Sequence, residues 1–241
     1  MNRQQLIDPI IRARKEATRP IFYVDGRGNP DHWGSCTLLN VRDRYFVITA
    51  AHVIDAWTDT KAYIPDDTGG FCEIAEVDRF TTPLPESGKR EDDPIDVGYV
   101  EVDQNSLPAA VRVRFATLDD VLLHPHREEE RWFALIGHPL TKTKAIHADQ
   151  RVKVRMPFTL TSIQIWPPVQ TRLGFPADSY AVQFHQGRVF THEHVMMKAP
   201  RPKGISGGAL WQLPAVGNKH IVDESEKLAG IIIEYRREEA C

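Results

Sequence analysis

Past Pro20 the chain is a succession of short runs rich in β-branched and aromatic residues, each closed by Pro, Gly, Asp or a charged turn, and long helical periodicity is scarce. IFYV reads as a first strand, ended by the turn-rich DGRGNPDHWG. GSCTLLNV and RYFVITAAHV read as a hairpin joined by the polar turn Arg42-Asp43-Arg44. Further runs are KAYIP, FCEIAEV, PIDVGYVEV, RWFALIGHP, VKVRMPFTLTSIQIW, SYAVQFHQGRVF, GGALWQL and KLAGIIIEY. Many short strands with little helix predict a sandwich or barrel, and 241 residues suit two small barrels better than one. The exception lies at the start, where Leu6, Ile7, Ile10 and Ile11 recur at helical spacing and predict a short amphipathic surface helix despite Pro9. The polar stretch ATLDDVLLHPHREEERW is the expected connection between barrels. The division that follows is a helical segment over 1–19, a first barrel over 20–125 and a second over 126–241.

Composition narrows the partners. A hydrophobic fraction of 41% with 26% charged residues predicts a packed core. Thirty basic against 33 acidic residues give a net charge of -3, which supplies no footprint for a phosphate backbone, so nucleic acid is not an expected partner. No apolar run reaches membrane-spanning length, and the first residues lack the apolar core of a secretory signal. Cys36, Cys72 and Cys241 are too few and too scattered for a disulfide framework, which favours a reducing, cytoplasmic compartment. Cys36, inside an apolar strand, reads as a buried structural thiol.

Acyl transfer by a serine needs a base beside the hydroxyl, a carboxylate orienting the base, and donors for the oxyanion. Gly204-Ile205-Ser206-Gly207-Gly208 sets a serine among glycines, where an unencumbered backbone can turn the Gly204 and Ser206 N–H groups toward one point. Alone, such a segment is more often a plain turn, and a lone histidine such as His52 in TAAHV is more often structural. Among Asp92, Asp93 and Asp96, only Asp96 lies inside an apolar run, IDVGYV, where a buried carboxylate needs a partner and His52 is the natural one. Asp92 and Asp93 read as solvated. The pairs His124/His126 and His192/His194 lack a complementary ligand set, so no metal site is expected and no cofactor is called for.

TAAHV, then an Asp-x-Gly strand, then GISGG, in the order His, Asp, Ser, resembles the trypsin-like serine protease family. The resemblance runs from about Gly34 to about Tyr235. It implies two perpendicular antiparallel barrels of the six-stranded type, an all-β double barrel with the site in the cleft between them. It also implies His52 as general base, Asp96 as its orienting residue, Ser206 as nucleophile, and Gly204 and Ser206 N–H groups as the oxyanion hole. IGHP is similar to the turn where the second barrel begins in bacterial members. LAGIII resembles the strand beside the specificity pocket, so that Ile233, Glu234 and Tyr235 would border an extended substrate. Ile205 stands where zymogen-type members carry an aspartate that pairs with a freed N-terminus, so regulation is expected to come from a partner or another domain. The short stretch after GIIIEY implies either a piece of a longer polypeptide or a pocket closed in another way. The segment Lys198 to Lys203 carries no acid that would select Lys or Arg, and P1 preference stays open. The expected activity is endopeptidase cleavage of protein or peptide substrates; the alternatives are a catalytically silent peptide-binding module and an esterase with the same serine chemistry.

Overall fold

The computed structural model describes residues 3–24, 30–57, 60–123, 132–141, 158–163, 172, 179–182, 189–190, 196–197, 200–214, 216–217, 220–221 and 226–233. The architecture is mostly β, with one larger helix at the N-terminus, α1 (Arg3–Arg14). Eight strands form the first sheet: β1 (Thr18–Val24), β2 (Pro30–Val41), β3 (Arg44–Ala50), β4 (Ala62–Pro65), β5 (Phe71–Glu73), β6 (Glu76–Thr81), β7 (Val97–Val102) and β8 (Ala116–Thr117). Their order is β5-β4-β1-β2-β3-β7-β6, with β8 pairing β2. The second sheet joins β9 (Trp132–Gly137), β10 (Phe158–Ile163), β13 (Ala209–Gln212) and β16 (Lys227–Ile231) in the order β10-β9-β13-β16. Two small ribbons pair β11 (Val189–Phe190) with β12 (Met196–Met197), and β14 (Val216–Gly217) with β15 (His220–Ile221). The two sheets and the short N-terminal helix are consistent with the expected all-β double barrel.

Side-chain periodicity accounts for both sheets. In β7 burial alternates, with Gly98, Val100 and Val102 turned inward and Tyr99 outward, where its ring stacks on Phe80 and meets Phe46 edge-on. The strand β9 is buried along WFALIG because apolar groups cover both of its faces. Phe133 and Leu135 pack with Leu210 on one face, while Ala134 and Ile136 join Ala209, Trp211 and Leu228 on the other. That second cluster also takes in Ala17 and Ala116, so one core contacts the N-terminal segment, the first sheet and the second. Arg14 at the end of α1 reaches Asp120 and Glu226 at 2.8 Å each and lies over the Trp211 ring. Among the described residues no helix is long and apolar enough to cross a membrane.

Three runs break differently from the expectation. RYFVITAAHV is not strand throughout: the ladder with β7 ends at Ala50↔Val97, and Ala51–Asp55 forms the short helix α2. FCEIAEV divides at Ile74 and Ala75, because Ile74 N–H bonds the Ala62 carbonyl while Ala75 accepts from Asp103 N–H, so the chain changes partner there. PIDVGYVEV begins its strand only at Val97, leaving Asp96 outside it. The turn at Arg42 and Asp43 has both residues at positive φ, 52° and 64°, which suits the twist of a two-residue hairpin between Val41 and Arg44. A further helix, α3 (Ala109–Arg112), precedes β8.

Candidate active site

The register of β3 against β7 brings His52 and Asp96 together. Where the pair Ala50↔Val97 ends the ladder, β3 turns into α2 and the residue before β7 faces the new helix. The Asp96 carbonyl accepts from Ala51 N–H at 3.0 Å. Its carboxylate accepts from His52 N–H through Oδ1 at 2.9 Å and holds His52 Nδ1 through Oδ2 at 2.6 Å. The carboxylate side chain is 10% exposed and the imidazole 43%, so the ring has a shielded partner on one edge and an open edge on the other.

Asp96 sits at φ 43°, a left-handed conformation that costs a non-glycine residue about 1–2 kcal/mol. A bracket of polar groups holds it there. Asp93 accepts from Ile95 N–H at 2.9 Å, from Thr82 Oγ1 at 2.5 Å and from Arg90 Nη1 at 2.8 Å. Arg90 Nε reaches Asp55 at the end of α2, so one guanidinium joins the loop before Asp96 to the helix bearing His52. The expectation that Asp93 is solvated is therefore corrected: its side chain is 4% exposed. Burial pushes its carboxyl up, yet hydrogen bonds from Thr82, the backbone of Asp96 and Ile95, and Arg90 outweigh it and hold it down at about 2. Asp92 is exposed, as expected.

Ser206 lies in the loop that feeds β13. Hydrogen bonds to the carbonyls fix the peptide planes of that loop. Lys203 O accepts from Leu140 N–H at 2.9 Å, Ile205 O from Gly208 N–H at 2.8 Å, and Ser206 O from Ser35 N–H at 2.9 Å. Because a trans peptide sets its N–H opposite its carbonyl, pinning Lys203 O and Ile205 O turns the N–H groups of Gly204 and Ser206 the other way. Neither N–H has a hydrogen-bond partner among the described residues. Gly204 stands at φ 93° and Gly207 at φ 84°, so the loop needs glycine at both. Ile205 is buried against Gly137, with apolar packing where the zymogen-type pattern has an ion pair.

The two halves meet at Gly34. A Cβ there would lie 2.9 Å from Val53, the neighbour of His52, and 3.3 Å from the Ser206 carbonyl. His52 and Ser206 thus flank one seam. Among the described residues no hydrogen bond joins the Ser206 hydroxyl to the imidazole. Beyond β16, Ile232 exchanges hydrogen bonds with Gly207 and Gly208, so the backbone groups of Ile233 project to the opposite edge. Glu234 and Tyr235 lie outside the described residues, as do His124, His126, His192, His194 and Cys241. Among the described residues no group of three or more His, Cys, Asp or Glu could hold a metal ion. Burial pushes the Cys36 thiol up to about 12, so it carries no thiolate at neutral pH.

Two buried histidines border the seam. His32 Nε2 is 2.7 Å from Gly34 O, and His138 Nε2 is 3.3 Å from Thr18 O, so each donates to a carbonyl as a neutral ring. Burial lowers His32 to about 4 against the Gly34 bond and the Asp31 charge. It lowers His138 to about 3 against the Thr18 bond, with His32 and Arg19 adding to the shift. The unfolded rings take protons near their ordinary value of about 6.5. Below that pH the unfolded state binds more protons than the folded one. The stability these rings retain at neutral pH is therefore lost as pH falls through 6.5 toward about 4 and about 3. Each contributes a slope of up to about 1.4 kcal/mol per pH unit. Urea midpoints measured from pH 7.5 to 5 are expected to fall more shallowly for His138→Gln than for the wild type; equal slopes would refute the buried neutral ring.

No protein-family model matches the sequence, and no curated protein does. Among solved structures the chain is similar to human heparin binding protein, with a TM-score of 0.48 and 13% identity over 82% of this chain and 75% of that one. A mutant of the same human protein gives a TM-score of 0.46 and 11% identity over 90% of this chain and 84% of that one.

Proposed function

We propose that the chain is a serine endopeptidase of the trypsin-like kind acting on protein or peptide substrates inside the cell. The observation that carries the reading is the pair of N–H groups at Gly204 and Ser206 that have no partner among the described residues and are turned the same way by their pinned carbonyls. The Asp96 carboxylate on His52 Nδ1 supports it, since that contact holds the Nδ1–H tautomer and leaves Nε2 to accept a proton. On this reading the first barrel, 20–125, carries His52 and Asp96, and the second, 126–241, carries Ser206.

His52 Nε2 takes the proton of Ser206 as the hydroxyl oxygen attacks the peptide carbonyl. The oxyanion is held by Gly204 and Ser206 N–H. The imidazolium, steadied by Asp96, then gives its proton to the leaving amine, and water repeats the sequence on the acyl-enzyme. These steps call on no metal or organic cofactor. An extended substrate would pair with the backbone at Ile233 and continue along Glu234 and Tyr235. With Ile205 buried in place of an ion pair, activity would be set by a partner or another domain rather than by cleavage of a zymogen.

A second reading, a peptide-binding module without catalysis, is favoured by the missing hydrogen bond between Ser206 and His52. Reaction of the native protein with a fluorophosphonate separates the two. The expected result is one adduct, located on Ser206 by mass spectrometry and not formed when the protein is denatured before the reagent is added. Protein that stays unmodified, or that reacts elsewhere, would set the binding module in front.

A further inference from the structure

Ser35 lies in β2 and is fully buried, 169 residues from one hydrogen-bond partner of its hydroxyl and 103 from the other. Ser35 Oγ donates to Gly204 O at 2.9 Å and accepts from His138 N–H at 2.8 Å. The same residue's N–H holds Ser206 O, and its carbonyl accepts from Thr49 Oγ1 at 2.7 Å, three residues before His52. All three of its polar groups are used, in four hydrogen bonds that lead to the histidine strand, the nucleophile loop and the segment after β9.

From this we infer that Ser35 is a positioning residue whose hydroxyl sets the oxyanion donor at Gly204, an inference that rests on the hydrolase reading above. The hydroxyl acts by two routes. It fixes Gly204 O directly, and it fixes His138, two residues before the Leu140 N–H that pins Lys203 O. Gly204 has no Cβ and stands at φ 93°, so it is a flexible joint that these hydrogen bonds, together with Ile205 N–H to Pro202 O at 3.0 Å, hold still. Thr37 Oγ1 secures Gly207 O at 3.1 Å on the far side of the serine but touches neither carbonyl flanking Gly204 N–H.

The alanine variant of Ser35 removes only the hydroxyl. Its backbone bonds to Ser206 and Thr49 remain, whereas Gly204 O and His138 N–H are left buried without a partner. Loss of an oxyanion donor lowers acylation about 10²- to 10³-fold. The experiment follows fluorophosphonate labelling across pH together with amide hydrogen exchange in fragments covering 136–140 and 203–208. Wild type, Ser35→Ala and Ser35→Thr are compared, the last keeping the hydroxyl. For Ser35→Ala the expected result is a labelling rate about 100-fold lower with an unchanged pH-profile shape, since the His52 pair is untouched. Exchange in both fragments is expected to rise at least about tenfold, with Ser35→Thr restoring both readouts. Unchanged exchange, or faster exchange with an unchanged labelling rate, overturns the inference. If the wild type itself does not label, that failure belongs to the hydrolase reading. The exchange arm then decides whether the hydroxyl holds the loop: faster exchange supports it and unchanged exchange overturns it.

Discussion

Exchange of Asp96 for Asn is expected to lower the rate at which Ser206 is acylated by about 10⁴-fold while the protein stays folded. The orientation of the new amide is not free. One oxygen of Asp96 accepts from His52 N–H at 2.9 Å, a donor that turns to no other acceptor among the described residues. The Asn oxygen must take that place, which directs its NH₂ at Nδ1, where Asp96 Oδ2 now lies at 2.6 Å. A donor facing Nδ1 makes that nitrogen the acceptor and moves the ring proton to Nε2, the atom that should receive the serine proton. Asn also tolerates the left-handed conformation at φ 43° better than most residues. The fold should therefore survive, and the loss should come from the tautomer. Single-turnover acylation measured beside the melting temperature checks this. A rate within tenfold of wild type in a folded variant would mean that Asp96 does not govern the ring.

How far the sequence could be read depends on how local each cause is. His52 and Ser206 stood out because each ends a β-run or interrupts glycines, both visible within five residues. Asp96 is expected inside an apolar strand, buried and partnered by His52; the burial and the partner hold, and the strand does not. Its neighbours alternate like a strand, but the ladder stops at Val97, and the carboxylate instead caps the start of α2 as well as holding the ring. The bracket around it was hidden. Asp93 sits in a charged loop that reads as solvated, and its burial comes from Thr82, Arg90 and Asp55, which approach only when the loop folds back on α2. Ser35 gave no signal either, since a serine in a strand has no pattern that foretells partners 103 and 169 residues away. The two-sheet fold needed only the rhythm of short runs, whereas the split of FCEIAEV depended on a change of hydrogen-bonding partner that no local spacing encodes.

That same seam makes Gly207→Ala the most damaging single methyl on offer, with an expected loss of about 3–5 kcal/mol in folding stability. Gly207 stands at φ 84°, where an L side chain costs about 1–2 kcal/mol. A Cβ built on it would lie 2.0 Å from Ser35 O and 2.1 Å from Thr49 Oγ1. Those two atoms already bond each other at 2.7 Å, and both belong to strands paired on either side, so neither can withdraw as a flexible side-chain tip would. Relief has to come from moving the nucleophile loop, which would cost the bonds from Gly207 N–H to Ile232 O and from Thr37 Oγ1 to Gly207 O. Gly230→Ala is the internal control, because a Cβ there meets nothing within 4 Å and that glycine is not among those at positive φ. Urea unfolding of the two variants beside the wild type is the measurement. A large loss at position 207 with little change at 230 is the expected pattern. A loss below about 1 kcal/mol at 207 would mean that the two sheets do not close on the serine loop as tightly as this seam requires.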